Sequence, residues 1–364
     1  MNMKRVLVAM SGGLDSAVAC LLLRQQGYEV YGATLRIYDS HDYPLGMQGR
    51  PVGGEQEIED ARQVAQKLGM PHHVVDVRPA FSHTVIAHFI EEYMAGRTPH
   101  PCVRCNKSIK WEALLNKADQ LGCAFLATGH YAQIAQEKGR FFVRKGVDPS
   151  KEQSYMLWQL EQSALRRTLF PLGAMKKEEV RRIALAHGLS RVAQKRESFA
   201  ICFIPDGNYR SYLRRKVEDV VNKYGHGNFV DKEGRFLGHH NGYMFFTIGQ
   251  HKGLPNVGYR AYVHEIRPQT NEVVIGPREG LYFSRLLLNG LNSMKYESIP
   301  EDIELSVNLQ YHCPGNGAHF QQREGDRGVL LFHKPILASA PGQSAVCYFG
   351  DELLGGGIII SQTH

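Results

Sequence analysis

The chain has 364 residues, 43% of them hydrophobic and 22% charged, an ordinary composition for a globular protein with two or three domains. No apolar run reaches the roughly 18–20 residues that span a bilayer, and seven irregularly spaced cysteines do not describe a disulfide scaffold. The formal charge of +7, from 43 basic and 36 acidic residues, permits a polyanionic partner without requiring one. The apolar stretch VLVAM near the N-terminus is too short for an export signal, so a cytoplasmic protein without a membrane partner is expected.

In chain order, residues 4–10 read as a strand and 15–26 as a helix stopped by Gly27. Residues 28–37 read as a second strand, 56–68 as a helix closed by Gly69, and 72–77 as a third strand. Helices follow over 81–95 and 108–121, then a strand over 124–128. The stretch TPHPCVRCNK (98–107), with two prolines, reads as a loop. The basic clusters Arg166–Arg167, Lys176–Lys177, Arg181–Arg182 and Arg214–Arg215–Lys216 read as polar helix faces. From about residue 220, short segments such as GNFVDKEGRFLG, GYMFFTIGQ and QSAVCYFGDELLGGGIIIS alternate with turns and read as strands. The expectation is an α/β, doubly wound parallel-sheet domain over 1–205, a small linking module over 206–280 and a C-terminal β-barrel over 281–364. Ligands of such sheets bind beyond the carboxyl ends of the strands, which directs attention to the loops after Met10, Ile37 and Thr128.

The first of these loops is VLVAMSGGLDSAVA, which sets Ser-Gly-Gly-x-Asp-Ser between a strand and a helix. Gly12 and Gly13 can bring the backbone close to a phosphate, and the helix that follows turns its free N–H groups toward it. Ser11 and Ser16 add hydroxyl donors. Asp15 carries the wrong sign for phosphate and is expected to cap the helix or to hold Mg²⁺. The Lys-Ser/Thr end of a Walker loop is missing, and the motif resembles the pyrophosphate loop of N-type ATP pyrophosphatases. An ordinary glycine turn before a helix is the plain alternative.

Cys20, Cys123 and Cys347 read as small core residues, Cys313 as an incidental loop thiol. Cys202 in ESFAICFI reads the same way in isolation, and Cys102 and Cys105 are three positions apart. Further motifs follow in order: GRTPHPCVRCNKSIK, ATGHYA, KEQSYML, ESFAICFI, FTIGQHKGL, PGQSAV and GGGII. Together with the phosphate loop they resemble the tRNA-specific 2-thiouridylases (MnmA type) over nearly the whole chain.

The resemblance implies ATP-dependent 2-thiolation of the wobble uridine of tRNA through an adenylated C2 oxygen. It implies Cys105 as a nucleophile and Cys202 as the persulfide carrier, with Arg104, Lys107 and Lys110 as charges that would favour thiolate. ATP contacts carry over to Ala9, Met10, Ser11, Gly12, Gly13, Leu14, Asp15, Ser16, Leu35 and Gly129. His100, Pro101 and Cys102 match the triplet that meets the target base, and His130, Lys151, Glu152, Gln153, Gln310, Tyr311 and Gln343 match tRNA contacts. ATP and Mg²⁺ are the implied cofactors, and tRNA and a sulfur-donor protein, such as a cysteine desulfurase or a sulfur carrier, the implied partners.

The chain departs from the family pattern in reading His-Pro-Cys at 100–102 where many members read Asn-Pro-Asp. Glu152 stands where Asp is usual, and Gln310 replaces an arginine. With Cys102 added, Cys102, Cys105 and Cys202 could together ligate a [4Fe–4S] cluster with one open iron, so persulfide and cluster routes both stand as expectations. Zinc on the same trio would close the site. An amide ligase that forms an adenylate without sulfur, and a tRNA-binding module without catalysis, are the alternatives from other classes.

Overall fold

In the computed structural model, which describes residues 4–39, 54–195 and 201–363, five parallel strands form the first sheet. They begin with β1 (Arg5–Ala9), β2 (Glu29–Arg36), β3 (His72–Asp76) and β4 (Phe125–Ala127). A hairpin of β5 (Ala132–Glu137) and β6 (Arg140–Lys145) then leaves the sheet, and β7 (Thr168–Leu169) returns to its edge. The spatial order is β3-β2-β1-β4-β7. Val6, Leu7 and Val8 are all fully buried, so successive residues of β1 face covered surfaces on both sides. Helices Leu14–Gln25, Glu55–Lys67 and Lys177–Ala186 pack against one face, and Glu112–Gln120 covers the other. The doubly wound reading of the sequence therefore holds, with strand and helix ends within a few residues of those expected.

Residues 98–111 differ from the expectation. Helix begins at Pro101 and runs through Pro101–Cys105, Asn106–Trp111 and Glu112–Gln120, with a wider π-type turn in the middle piece. Two prolines suggested a loop, but proline at the first helical position is favourable because its fixed φ suits the helix and its missing N–H is not needed there. Only Pro99 lies outside, holding the preceding residues extended.

The central module packs the helix Tyr209–Lys216 against a four-stranded sheet. Its strands are β8 (Gly227–Val230), β9 (Phe236–His240), β10 (Tyr262–Arg267) and β11 (Glu272–Gly276), in the order β10-β11-β8-β9. GYMFFTIGQ was read as a strand, but Tyr243–Phe245 form a short 3-10 turn after Gly242, whose φ is +115°. Tyr243, Met244 and Phe245 are all buried, so consecutive residues fill one core instead of alternating between two faces.

The C-terminal strands are β12 (Tyr282–Ser293), β13 (Leu305–Asn308), β14 (Asn316–Gln322), β15 (Gly328–Leu337), β16 (Ser344–Phe349) and β17 (Glu352–Thr363). They are antiparallel in the order β12-β15-β14-β13-β16-β17, and β12 pairs with β17 to close a six-stranded barrel. β6 joins β17 at Arg144 and Glu352, so a hairpin from the first domain lengthens the barrel's sheet. Among the described residues no helix is long and apolar enough to cross a membrane.

The barrel is fastened to the first domain by buried polar bonds. Tyr155 Oη donates to the Ser344 carbonyl (2.9 Å), Trp158 Nε1 donates to Ser344 Oγ (3.0 Å), and the Ser154 and Tyr348 hydroxyls share a bond of 2.9 Å. The Trp158 ring lies so close to Gly356 that a Cβ there would sit 3.1 Å from it. Trp158→Ala is expected to lower the unfolding free energy by about 3–5 kcal/mol in urea denaturation, because this ring is fully buried. A loss below about 1 kcal/mol would mean that barrel and sheet are not one cooperative unit.

Candidate nucleotide and thiol site

The strand order reverses between β1 and β4, where the chain leaves β1 toward β2 on one side and β4 enters on the other. That divergence opens a crevice at the carboxyl ends of the strands. A cavity of about 330 Å³ occupies it. Its floor is Ala9, Met10, Ser11, Asp15 and Ser16 from the first loop and helix, with Thr128, Gly129 and His130 from the loop after β4. Ala33, Thr34, Leu35 and Ile37 from the end of β2 line it as well, giving an apolar wall on one side.

The Ser-Gly-Gly turn has the shape expected of a phosphate loop. Gly12 has φ +65°, and a Cβ on it would stand 2.5 Å from the Glu57 carbonyl oxygen, so only glycine fits between the turn and the helix Glu55–Lys67. Ser16 Oγ donates to the Gly13 carbonyl (3.2 Å) and accepts from the Ser11 N–H (3.3 Å), closing the turn over the start of the helix. Lys195 Nζ reaches the Gly12 carbonyl (3.3 Å) and Asp60 (2.9 Å) from behind. Leu14 does not face the cavity but is buried in the core against the sheet.

Asp15 does not cap the helix. Gly13 is the capping residue, without a side-chain bond, and Asp15 sits in the first turn. Its carboxylate instead binds Lys177 Nζ, 2.7 Å from each oxygen, and accepts from Tyr131 Oη (2.8 Å). Lys177 was read as part of a solvated helix face, yet it is buried and points back into the sheet's carboxyl end. A signal for this was present. Lys177 opens its helix, where the dipole disfavours a cation, so a carboxylate partner was to be expected. Asp148 Oδ2 accepts from the Lys177 N–H (2.8 Å) and fixes that helix start.

The opposite wall carries the thiols. Pro101, Cys102, Cys105 and Lys110 come from the helix that begins at Pro101, and Ile201, Cys202 and Phe203 from the segment after the undescribed residues 196–200. Phe203 anchors Cys202 by packing edge-on against Phe81 (5.8 Å) and Phe89 (5.2 Å) and at a tilt against Tyr212 (5.4 Å). Cys102, Cys105 and Cys202, remote in sequence, thus face one cavity with Ser11 and Asp15. Of the three charges expected to favour thiolate, only Lys110 lines it. Arg104 binds the Thr84 carbonyl and Lys107 pairs with Glu161. Burial outweighs Lys110: it pushes the Cys105 thiol up to about 11 and raises Cys102 and Cys202 as well. The expected activation of these thiols is therefore absent here, and they rest as protonated thiols.

No three His, Cys, Asp or Glu side chains among the described residues are placed to hold a metal ion. Cys102, Cys105 and Cys202 nevertheless share one wall of the cavity. Cys20, Cys123 and Cys347 are buried in the core and Cys313 is exposed on its loop, as expected.

Of the remaining candidates, His130 and Gln153 line the cavity. His100 packs edge-on to Tyr155 (5.5 Å), and burial pushes its pKa down to about 4; its Nδ1 has no hydrogen-bond partner among the described residues. His130 is held by Thr128 Oγ1 (2.7 Å) and lies near Trp111, and burial followed by Lys110 lowers its pKa to about 3, so the ring is neutral. Gln153 lines the cavity and accepts from the Tyr131 N–H (3.1 Å). Lys151 lies in the turn before it, and Glu152 accepts from the Ser154 N–H (2.5 Å). Tyr311 is half-buried and stacks on His312 (3.9 Å), beside exposed Gln310. Gln343 binds carbonyls of the first domain.

Fold and cavity define a phosphate-loop protein in which thiols face the nucleotide-binding end of a parallel sheet. Three family descriptions match the chain in succession: a tRNA methyl transferase HUP domain over residues 4–206, a tRNA methyl transferase PRC-barrel domain over 214–277, and an aminomethyltransferase beta-barrel domain over 283–359. Among individual proteins, the tRNA-specific 2-thiouridylase MnmA of Amoebophilus asiaticus is 45% identical over 363 residues, covering 99% of this chain and 96% of that one. Those of Cytophaga hutchinsonii (44% identical, 98% and 97% covered) and Salinibacter ruber (43%, 98% and 94%) are similar throughout. The chain belongs to the tRNA-specific 2-thiouridylase family.

Two predictions follow from the electrostatics. A Cys105 pKa near 11 leaves about one thiol in ten thousand ionised at pH 7. Iodoacetamide alkylation of Cys105 in the ligand-free protein should therefore rise about tenfold per pH unit up to pH 10, whereas an unperturbed thiol levels off near ~8.5. The folded chain keeps a proton that the unfolded chain loses across that window, so this group's contribution to stability falls as pH rises. A plateau by pH 8 would refute the buried resting state. Lys177→Met should cost about 1–3 kcal/mol in urea unfolding, less than a fully buried pair because a third of the Asp15 side chain is exposed. Adding Asp15→Asn should restore at least half of the loss.

Proposed function

We propose that this chain carries out ATP-dependent 2-thiolation of the wobble uridine, position 34, of tRNA. The observation that carries the reading is the cavity that Ser11, Asp15 and Ser16 share with Cys105 and Cys202. In this reading residues 1–205 hold nucleotide and thiols, 206–280 link, and 281–364 help to grip the tRNA.

ATP lies with its phosphates on the turn of Ser11, Gly12 and Gly13 and the first N–H groups of the helix Leu14–Gln25, its base toward Leu35 and Ala9. Asp15, on releasing Lys177, is the residue that would hold Mg²⁺, which would supply positive charge for the leaving pyrophosphate. The C2 oxygen of the uridine attacks the α-phosphorus and pyrophosphate departs, which turns a poor leaving group into AMP. The terminal sulfur of a Cys202 persulfide then attacks C2, AMP leaves, and base and protein are joined through a disulfide. Cys105 as thiolate attacks the Cys202 sulfur and releases the thiocarbonyl, leaving a Cys105–Cys202 disulfide that an external thiol reduces. A sulfur-donor protein recharges Cys202.

The apolar wall and the high thiol pKa values support an order in which the thiolate forms only after substrate enters, with Lys110 as the neighbouring cation. The base must be turned out of the anticodon stack, at a cost of a few kcal/mol. In this reading His100, Pro101 and Cys102 receive it, and His130, Lys151, Glu152, Gln153, Gln310 and Tyr311 meet the tRNA; of these, Pro101, Cys102, His130 and Gln153 line the cavity.

The test is mass spectrometry of tRNA nucleosides after incubation with ATP, Mg²⁺ and a persulfide source. Cys105→Ser and Cys202→Ser should each lower 2-thiouridine at least about 100-fold while ATP binding is kept. Thiolation surviving both substitutions would sink the proposal. Stoichiometric iron and sulfide in anaerobically purified protein, lost on Cys102→Ala, would replace the persulfide step by a cluster-bound sulfide.

A further inference from the structure

Gln343 belongs to the barrel, but its side-chain amide is committed to the first domain. Nε2 donates to the carbonyls of Thr98 (2.8 Å) and Pro99 (3.3 Å), and the Thr98 N–H donates to the Pro341 carbonyl (2.8 Å). Gly342 between them has φ +90°, and a Cβ there would lie 3.0 Å from the Thr98 oxygen, so a side chain at this position would crowd the contact between the two backbones. The barrel loop is itself tied to β17, through Gly342 N–H to the Ile359 carbonyl (2.9 Å) and Ile359 N–H to the Gln343 carbonyl (2.8 Å). Thr98 also meets the central module, where its hydroxyl lies 3.3 Å from that of Thr247. All three domains therefore converge on Thr98.

Four residues later comes Cys102. The intervening Pro99, His100 and Pro101 form a stiff tether, since proline fixes φ and restricts the residue before it. We propose, resting on the thiolation reading above, that Pro341, Gly342 and Gln343 form a latch that sets the position of the thiol helix, and that Gln343 is a positioning residue acting through this tether. The barrel thereby fixes where Cys102 and Cys105 stand over the nucleotide cavity.

The experiment compares wild type with Gln343→Leu, which removes the donor, and Gly342→Ala, which keeps Gln343 but pushes the backbones apart. Iodoacetamide labelling of each cysteine is followed by peptide mass spectrometry, beside tRNA affinity and the turnover of thiolation. Both variants should label Cys102 and Cys105 about tenfold faster and, at saturating tRNA, thiolate about tenfold more slowly. Unchanged labelling of Cys102 and Cys105 in Gln343→Leu would overturn the latch. Equal acceleration at buried Cys20 and Cys347 would mean general loosening and overturn it too. Labelling is read without catalysis, so a wild type that fails to thiolate would refute the activity and leave the latch judged by the labelling.

Discussion

A Cβ on Gly129 would sit 2.9 Å from the backbone carbon and from the Cβ of Asp15, and 3.0 Å from the Ser16 nitrogen. That close approach is the constraint on which the rest of the structure depends. It presses the loop after β4 onto the first turn of the helix after β1, at the point where the parallel sheet reverses its order. The helix start is thereby held at the mouth of the crevice, with its dipole and unpaired N–H groups facing the cavity. From the same contact Tyr131, two residues on, reaches Asp15, and Lys177 completes the pairing from a third element. A wider loop at Gly129 would separate the phosphate turn from the wall that carries His130 and Lys110.

The cavity sets two requirements against each other. The proposed thiolation asks for a site where water cannot compete for an activated base, and the burial that would keep water away also holds the thiols protonated. A permanently ionised, exposed thiol would be oxidised or alkylated between turnovers. In the proposed reaction, burial with Lys110 at hand separates the two in time: the thiol stays protonated until ligands enter the cavity. The π-type turn at Asn106–Trp111 fits this arrangement, because it lets one helix present Cys102 and Cys105 to the cavity while Trp111 reaches Thr168 (2.7 Å) in the core beneath.

Much of this was legible in the sequence. Alternating strand and helix periods disclosed the sheet, and the Ser-Gly-Gly turn between them pointed to the crevice, because both are local patterns. What was not legible depended on distant partners. Pro99 and Pro101 look alike in a string, yet one precedes a helix and the other opens it, and only the turn between them distinguishes the two. Tyr243, Met244 and Phe245 carry strand-forming composition but fill a core built from helices of the first domain and strands of the central module. Lys177 looked like half of a surface dibasic pair until Asp15, 162 positions away, claimed it. The hairpin β5–β6 gave no sign that its edge would continue a barrel built from the other end of the chain.

That hairpin, with the bonds from Tyr155 and Trp158 to Ser344, ties the barrel to the first domain. A domain joined by flexible linkers could bind tRNA tightly and still deliver its base ångströms from the chemistry, and a misplacement of one ångström is enough to cost orders of magnitude in rate. Here buried aromatic side chains and buried hydroxyls span the junction, and each would be left unsatisfied in a low-dielectric core if the barrel swung away. Opening that junction therefore costs far more than opening a wet interface of the same size. The proposed gripping surface and the thiol cavity are thus held at a set distance from each other, and the motion needed to admit a nucleotide base has to come from the segments that line the mouth.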